Sequence, residues 1–196
     1  AVNCMFQVFP RAVSFVSDLV GNKVISYDTT LPLPSWMAIA RVGFSDSLQA
    51  FCLAIVAAPL GLLFVWDQCN VSVMSPVWFL AMLVASALFF GFFGIFLTSF
   101  IENMTKIRGM WMRVMFPLWM LGCFQFTWQL LYSKSPALAY ILLLNPFVYT
   151  MEGMRASVMG QAGSLPLPVC FTATLGFTLL LGYIAVRRIM KRLDCV

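Results

Sequence analysis

Two residues of opposite charge, Glu152 and Arg155, stand three positions apart in an otherwise apolar stretch. On a helix that spacing puts them on one face, with Tyr149 a further three residues back. A charged side chain at membrane depth costs roughly 2.5–3.5 kcal/mol, so such groups face protein or water and pair with each other. Two roles fit the pair. It could form a polar lip at the outer mouth of a transmembrane pathway. It could equally cap a helix that ends at headgroup level, with Arg155 snorkelling to the interface. Gln125, Thr127 and Gln129 form a second polar group, able to line a route or to hold helices together by hydrogen bonds. Catalytic chemistry has little to work with: the chain has no histidine, no Gly-x-x-x-x-Gly-Lys-Ser/Thr loop and no paired carboxylates at helical spacing. Six scattered cysteines without a Cys-x-x-Cys pair argue against zinc. The chain is therefore read as no enzyme by itself.

The elements that position these residues are set by hydropathy. Hydrophobic residues make up 62% of the 196 and charged residues only 10%, against roughly 25% charged in soluble domains. An all-α integral membrane protein is expected, a polytopic helical bundle. Residues 1–17 read as the end of a membrane helix that leaves through Pro10 and Arg11. A polar segment, 18–46, follows, with room for a short helix and then an extended turn at Leu31-Pro32-Leu33-Pro34; Ser35 suits an N-cap. Four spans are predicted at 47–66, 78–100, 114–131 and 169–186. Ser86, Gly91 and Gly94 of the second are small enough to let helices approach closely. Between the last two spans lies 132–168. Its apolar run from Ala137 to Val148 is too short to cross a bilayer, which takes roughly 20 residues. An outer re-entrant helical hairpin, entering and turning back, accounts for it, because irregular backbone at that depth must be covered by protein or line a cavity.

Charge orients the bundle. The net charge is +5, and in a membrane protein such an excess marks cytoplasmic loops rather than a nucleic-acid surface. Lys106, Arg108 and Arg113 crowd the 102–113 loop, and Arg187, Arg188, Lys191 and Arg192 the tail; residues 67–77 have no basic residue. The 18–46 segment, the 102–113 loop and the C-terminus are thus expected in the cytoplasm, and 132–168 outside.

In this order the pieces resemble the permease subunits of ABC-2 type transporters. Leu144-Asn145-Pro146-Phe147-Val148-Tyr149, followed by Met151-Glu152-Gly153-Met154-Arg155, is similar to the family's signature before its last helix. Tyr27-Asp28-Thr29-Thr30-Leu31-Pro32-Leu33-Pro34-Ser35-Trp36 resembles its cytoplasmic phrase, where a short helix couples to the ATPase. Where the family marks an outer turn before its re-entrant helix with small residues, this sequence departs from it with Gly122-Cys123-Phe124. The family's first span and N-terminal interfacial helix have no counterpart in this sequence.

The resemblance implies a cytoplasmic coupling helix carrying Asp18, Lys23, Tyr27, Asp28, Thr29 and Thr30, and an outer gate of Asn145, Pro146, Tyr149, Glu152 and Arg155. It implies two permease chains, as a homodimer or a heterodimer, and two separate ABC ATPase subunits. No cofactor belongs to this chain; ATP and magnesium belong to the partner. The expected site is a bacterial inner (plasma) membrane, and the expected activity is outward movement of a hydrophobic or amphipathic substrate such as a lipid, lipid-linked glycan or drug. A passive channel or scramblase and a non-transporting scaffold subunit are the alternatives from other classes.

Overall fold

An uncharged run from Pro76 to Thr98 becomes the centre of the molecule. The structure, a computed structural model, describes residues 1–18, 35–64, 74–101, 104–160 and 163–193. Among these every regular element is helical: α1 Val2–Ser17, α2 Ser35–Phe64, α3 Pro76–Thr98, α4 Met104–Met110, a π turn Trp111–Met115, α5 Phe116–Met120, α6 Trp128–Lys134, α7 Pro136–Leu142, α8 Pro146–Met159 and α9 Leu167–Leu193. Three stretches are long and apolar enough to cross a membrane: Trp36–Gly61, Pro76–Thr98 and Leu167–Lys191. Within them, 67% of the α3 window is buried against 28% for α2 and for α9. Helix α3 is accordingly the core, and α1, α2, α8 and α9 pack around it. The outer helices turn Leu48, Val56, Leu179 and Leu180 outward, a surface suited to lipid and not to water. The described residues are thus those of an all-helical protein with three helices fit to span a membrane.

Small residues set the closest contact. A Cβ on Gly91 would overlap the Ser47 hydroxyl and stand 2.9 Å from both the Gly43 carbonyl oxygen and the Ser47 backbone nitrogen, so α2 and α3 touch backbone to backbone there. Gly94 meets only Val8, at 3.7 Å, and Ser86 is fully buried.

The helix bounds depart from the sequence expectation in three places. Helix α2 starts at Ser35, not at 47, and runs through Arg41 and Asp46. The two charges suggested a polar connector, but Ile39 is buried against Phe15, Ile95, Ala185 and Ile189, and Asp46 faces Arg11 of α1 at 3.8 Å. Helix α9 extends from Leu167 to Leu193 rather than 169–186; Arg187 and Arg188 lie over the rings of Tyr183 and Phe100 instead of ending the helix.

The expected span at 114–131 is not one helix. The backbone leaves the helix at Leu121, and Cys123 has φ 58°. Upstream, Pro117 lacks an N–H and its ring crowds the carbonyl four residues back. The helix widens just before it, where the Phe116 N–H bonds to the Trp111 carbonyl, five residues back. The break falls at Gly122-Cys123, inside the expected span.

Candidate functional site: a bent helix pair and its braces

Helices α7 and α8 meet at 100° across Leu143–Asn145. Asn145 makes the corner. Its Oδ1 accepts from the Phe147 N–H at 3.1 Å, capping α8, and Pro146 follows at the first helical position, where a missing N–H costs nothing. Its Nδ2 donates to the Leu118 carbonyl at 2.7 Å, near the end of α5.

Phe147 then drives the start of α8 into the core. Its ring stands 5.9, 5.2 and 5.4 Å from those of Phe89, Phe90 and Phe93, past the midpoint of α3. Gly122 leaves room for it, since a Cβ there would lie 2.8 Å from the Phe147 Cβ. At its far end α8 reaches the first turn of α3, where the Ser75 N–H donates to the Ser157 carbonyl at 3.1 Å. Helix α8 thus begins deep beside α3 and ends level with its N-terminus, next to where α9 begins.

Glu152 and Arg155 lie on the inner side of α8. Gly153 packs between Met82 and Cys170, which sets this level about 9 Å along α3 from Pro76 at 1.5 Å per residue. Glu152 is fully buried. Its Oε1 accepts from the Trp128 backbone N–H at 3.1 Å and pairs with Arg155 Nη1. The rest of the guanidinium is spent on main chain. Nη2 donates to the carbonyls of Cys123 at 2.9 Å and Phe124 at 3.2 Å, and Nη1 reaches that of Phe126 at 3.4 Å. These are the carbonyls that the break after α5 frees from helical hydrogen bonding. The left-handed Cys123, uncommon for any residue but glycine, is held in place by the same contacts. Beyond it the Trp128 indole donates to the Ala139 carbonyl at 3.0 Å, tying α6 to α7.

The arrangement therefore neutralises a buried carboxylate and satisfies the irregular turn between α5 and α6. Glu152 Oε2 has no hydrogen-bond partner among the described residues. No group of three or more side chains able to hold a metal occurs among them either.

Of the five residues expected at the gate, Asn145 and Pro146 form the corner, and Glu152 and Arg155 hold the turn before α6. Tyr149 does not join them; its ring packs against Phe177 of α9 at 6.0 Å. Thr127 caps α6, its hydroxyl accepting from the Leu130 N–H at 3.2 Å, while Gln125 and Gln129 are exposed. Asp18 is the residue that follows α1. The other coupling residues, Lys23, Tyr27, Asp28, Thr29 and Thr30, lie outside the described residues.

Sequence reasoning missed two features. The Arg11–Asp46 pair joins α1 to α2 beside a small gap that Cys4, Gln7 and Gly94 also line; a lone carboxylate in an apolar helix, with a lone arginine in the preceding one, was the available signal. It also missed the backbone partners of Arg155, for which no side-chain pattern exists. Comparison of the chain with protein-family models, with curated proteins and with solved structures gave no match.

Proposed function

We propose that this chain is the permease subunit of an ATP-driven exporter of the ABC-2 type. The observation that supports this reading best is the path of α8, which starts beside the middle of α3 and returns to the end where α9 begins. A re-entrant element directly before the last long helix is what the Asn145-Pro146…Glu152…Arg155 resemblance implies. In this reading the basic residues of 102–113 and of the tail keep the C-terminus cytoplasmic, and the bent pair opens towards the outside.

Nucleotide chemistry then belongs to a partner. ABC ATPase subunits bind ATP and magnesium, and the segment 18–30 docks on them. Closure of the ATPase pair tilts the helices of two permease copies and opens a route between them for a hydrophobic or amphipathic substrate from the inner leaflet. Glu152 and Arg155 serve as a brace on the exit. The bent pair stays rigid while the long helices move, because the turn before it is bonded to α8 and not to lipid-facing groups.

Purification of the full chain from its own membranes tests the reading. A soluble phosphate-loop ATPase is expected to copurify, with hydrolysis coupled to export and uncoupled by Asp28→Lys. An unchanged ratio of hydrolysis to transport after replacement of residues 18–30 would overturn it. Flux through liposomes that contain this chain alone would establish the passive channel or scramblase instead.

A further inference from the structure

A groove of about 500 Å³ runs between the outward faces of α2, α3 and α9, inside the roughly 300–1,000 Å³ range of small-molecule sites. Phe44, Leu88, Phe92, Leu179, Gly182 and Tyr183 line it. Gly182 opens its floor, since a Cβ there would press on the Phe92 ring at 3.1 Å. Phe92 is in turn propped edge-on by Phe44, with ring centroids 5.4 Å apart. The walls are almost wholly apolar.

One end of this groove is charged. Arg187 lies one turn beyond Tyr183 on α9, and its guanidinium carbon stands 5.0 Å from the centre of that ring. Arg41 lies one turn before Phe44 on α2 and is exposed, on the same face by helical spacing. Ile39 of α2 and Ala185 and Ile189 of α9 meet in one cluster, so Arg41 and Arg187 flank the groove at the same end. Neither forms an ion pair with a described carboxylate.

We propose that this groove binds an anionic phospholipid, one acyl chain lying along Phe44, Phe92 and Tyr183 and the phosphate held between Arg41 and Arg187. Basic pockets between membrane helices recognise acidic headgroups in this way. Charge complementarity favours a lipid over a second copy of the chain. The carboxylates among the described residues are Asp18, Asp46 and Glu152, and the last two are turned inward onto Arg11 and Arg155. The described surface of another copy therefore has little to set against two guanidinium groups. The inference is independent of export, because a permease, a passive conductor or a scaffold subunit could each carry such a site.

The full chain, purified in detergent and mixed with equal amounts of dioleoyl phosphatidylglycerol and dioleoyl phosphatidylcholine, gives the test by native mass spectrometry. Retention of the anionic lipid about thirtyfold over the zwitterionic one is expected from two basic side chains near the headgroup. Arg41→Gln with Arg187→Gln should abolish the preference, and Leu179→Trp, which fills the groove, should lower retention of both lipids. All three positions are exposed, so the variants should keep the wild-type elution profile. Equal retention of the two lipids by the wild type, or a preference that survives the double substitution, overturns the proposal. So does a Leu179→Cys variant that crosslinks to a second copy in native membranes while the wild type retains no lipid.

Discussion

The Asn145 side chain holds two helix ends at once: Oδ1 accepts from the Phe147 N–H at 3.1 Å and Nδ2 donates to the Leu118 carbonyl at 2.7 Å. One residue thereby fixes both the start of α8 and its distance from α5. Alanine at this position removes a cap worth about 1 kcal/mol and a hydrogen bond worth about 1 kcal/mol. Asn145→Ala is expected to lower stability by both, and Asn145→Ser, which keeps a capping oxygen, by about half as much. Thermal unfolding of the detergent-solubilised protein measures the order; equal losses would mean that the cap contributes nothing, and no loss for Asn145→Ser that the bond to Leu118 contributes nothing.

Arg155→Ala should be the more damaging change. It leaves the Glu152 carboxylate buried without its counter-charge, a loss of about 3–5 kcal/mol for a buried pair, and it frees the carbonyls of Cys123, Phe124 and Phe126. Glu152→Leu combined with Arg155→Met should recover only part of that stability, since the carbonyls stay unsatisfied. Full recovery in the double variant would place the whole cost on the ion pair.

At Gly91 the Ser47 hydroxyl can rotate away, but the Gly43 carbonyl oxygen and the Ser47 backbone nitrogen beside it cannot yield. Gly91→Ala is expected to push α2 from α3 and to cost about 1–3 kcal/mol. Gly94→Ala, which meets Val8 at an ordinary 3.7 Å, should be close to neutral. Thermal midpoints of the two variants side by side decide this, and parity between them would contradict the close contact.

The Arg11–Asp46 pair invites a double-mutant cycle. The two side chains are 30% and 12% exposed, sheltered enough for water to screen them only in part. Arg11→Met and Asp46→Leu should each destabilise, and the double variant should lie closer to wild type than their sum, with a coupling of about 0.5–3 kcal/mol. Strict additivity would show that the pair does not tie α1 to α2.

Much of this was readable from residue types. The apolar runs carried α3 and α9, and the spacing of Glu152 and Arg155 put them on one face. The start of α2 was hidden by Arg41 and Asp46, whose charges suggest solvent until Arg11 is placed beside one of them. The break at Gly122-Cys123 was hidden by its apolar flanks, since hydropathy reports where a segment can lie and not whether it is straight. The partners of Arg155 were beyond reach for a more general reason. They are main-chain carbonyls about 30 positions upstream, and every residue has one.

The shortness of α7 and α8 bears on how the protein enters its membrane. With 7 and 14 residues, neither approaches the roughly 20 that partition into a bilayer unaided, and the corner between them exposes backbone that lipid cannot satisfy. The long helices α2, α3 and α9 can each insert first. The bent pair can settle only afterwards, once Phe89, Phe90 and Phe93 offer a place for Phe147 and the turn at Cys123 is there for Arg155 to close. The segment therefore depends on α3 and on that turn, so a variant with Phe89, Phe90 and Phe93 all changed to alanine should expose it to proteases.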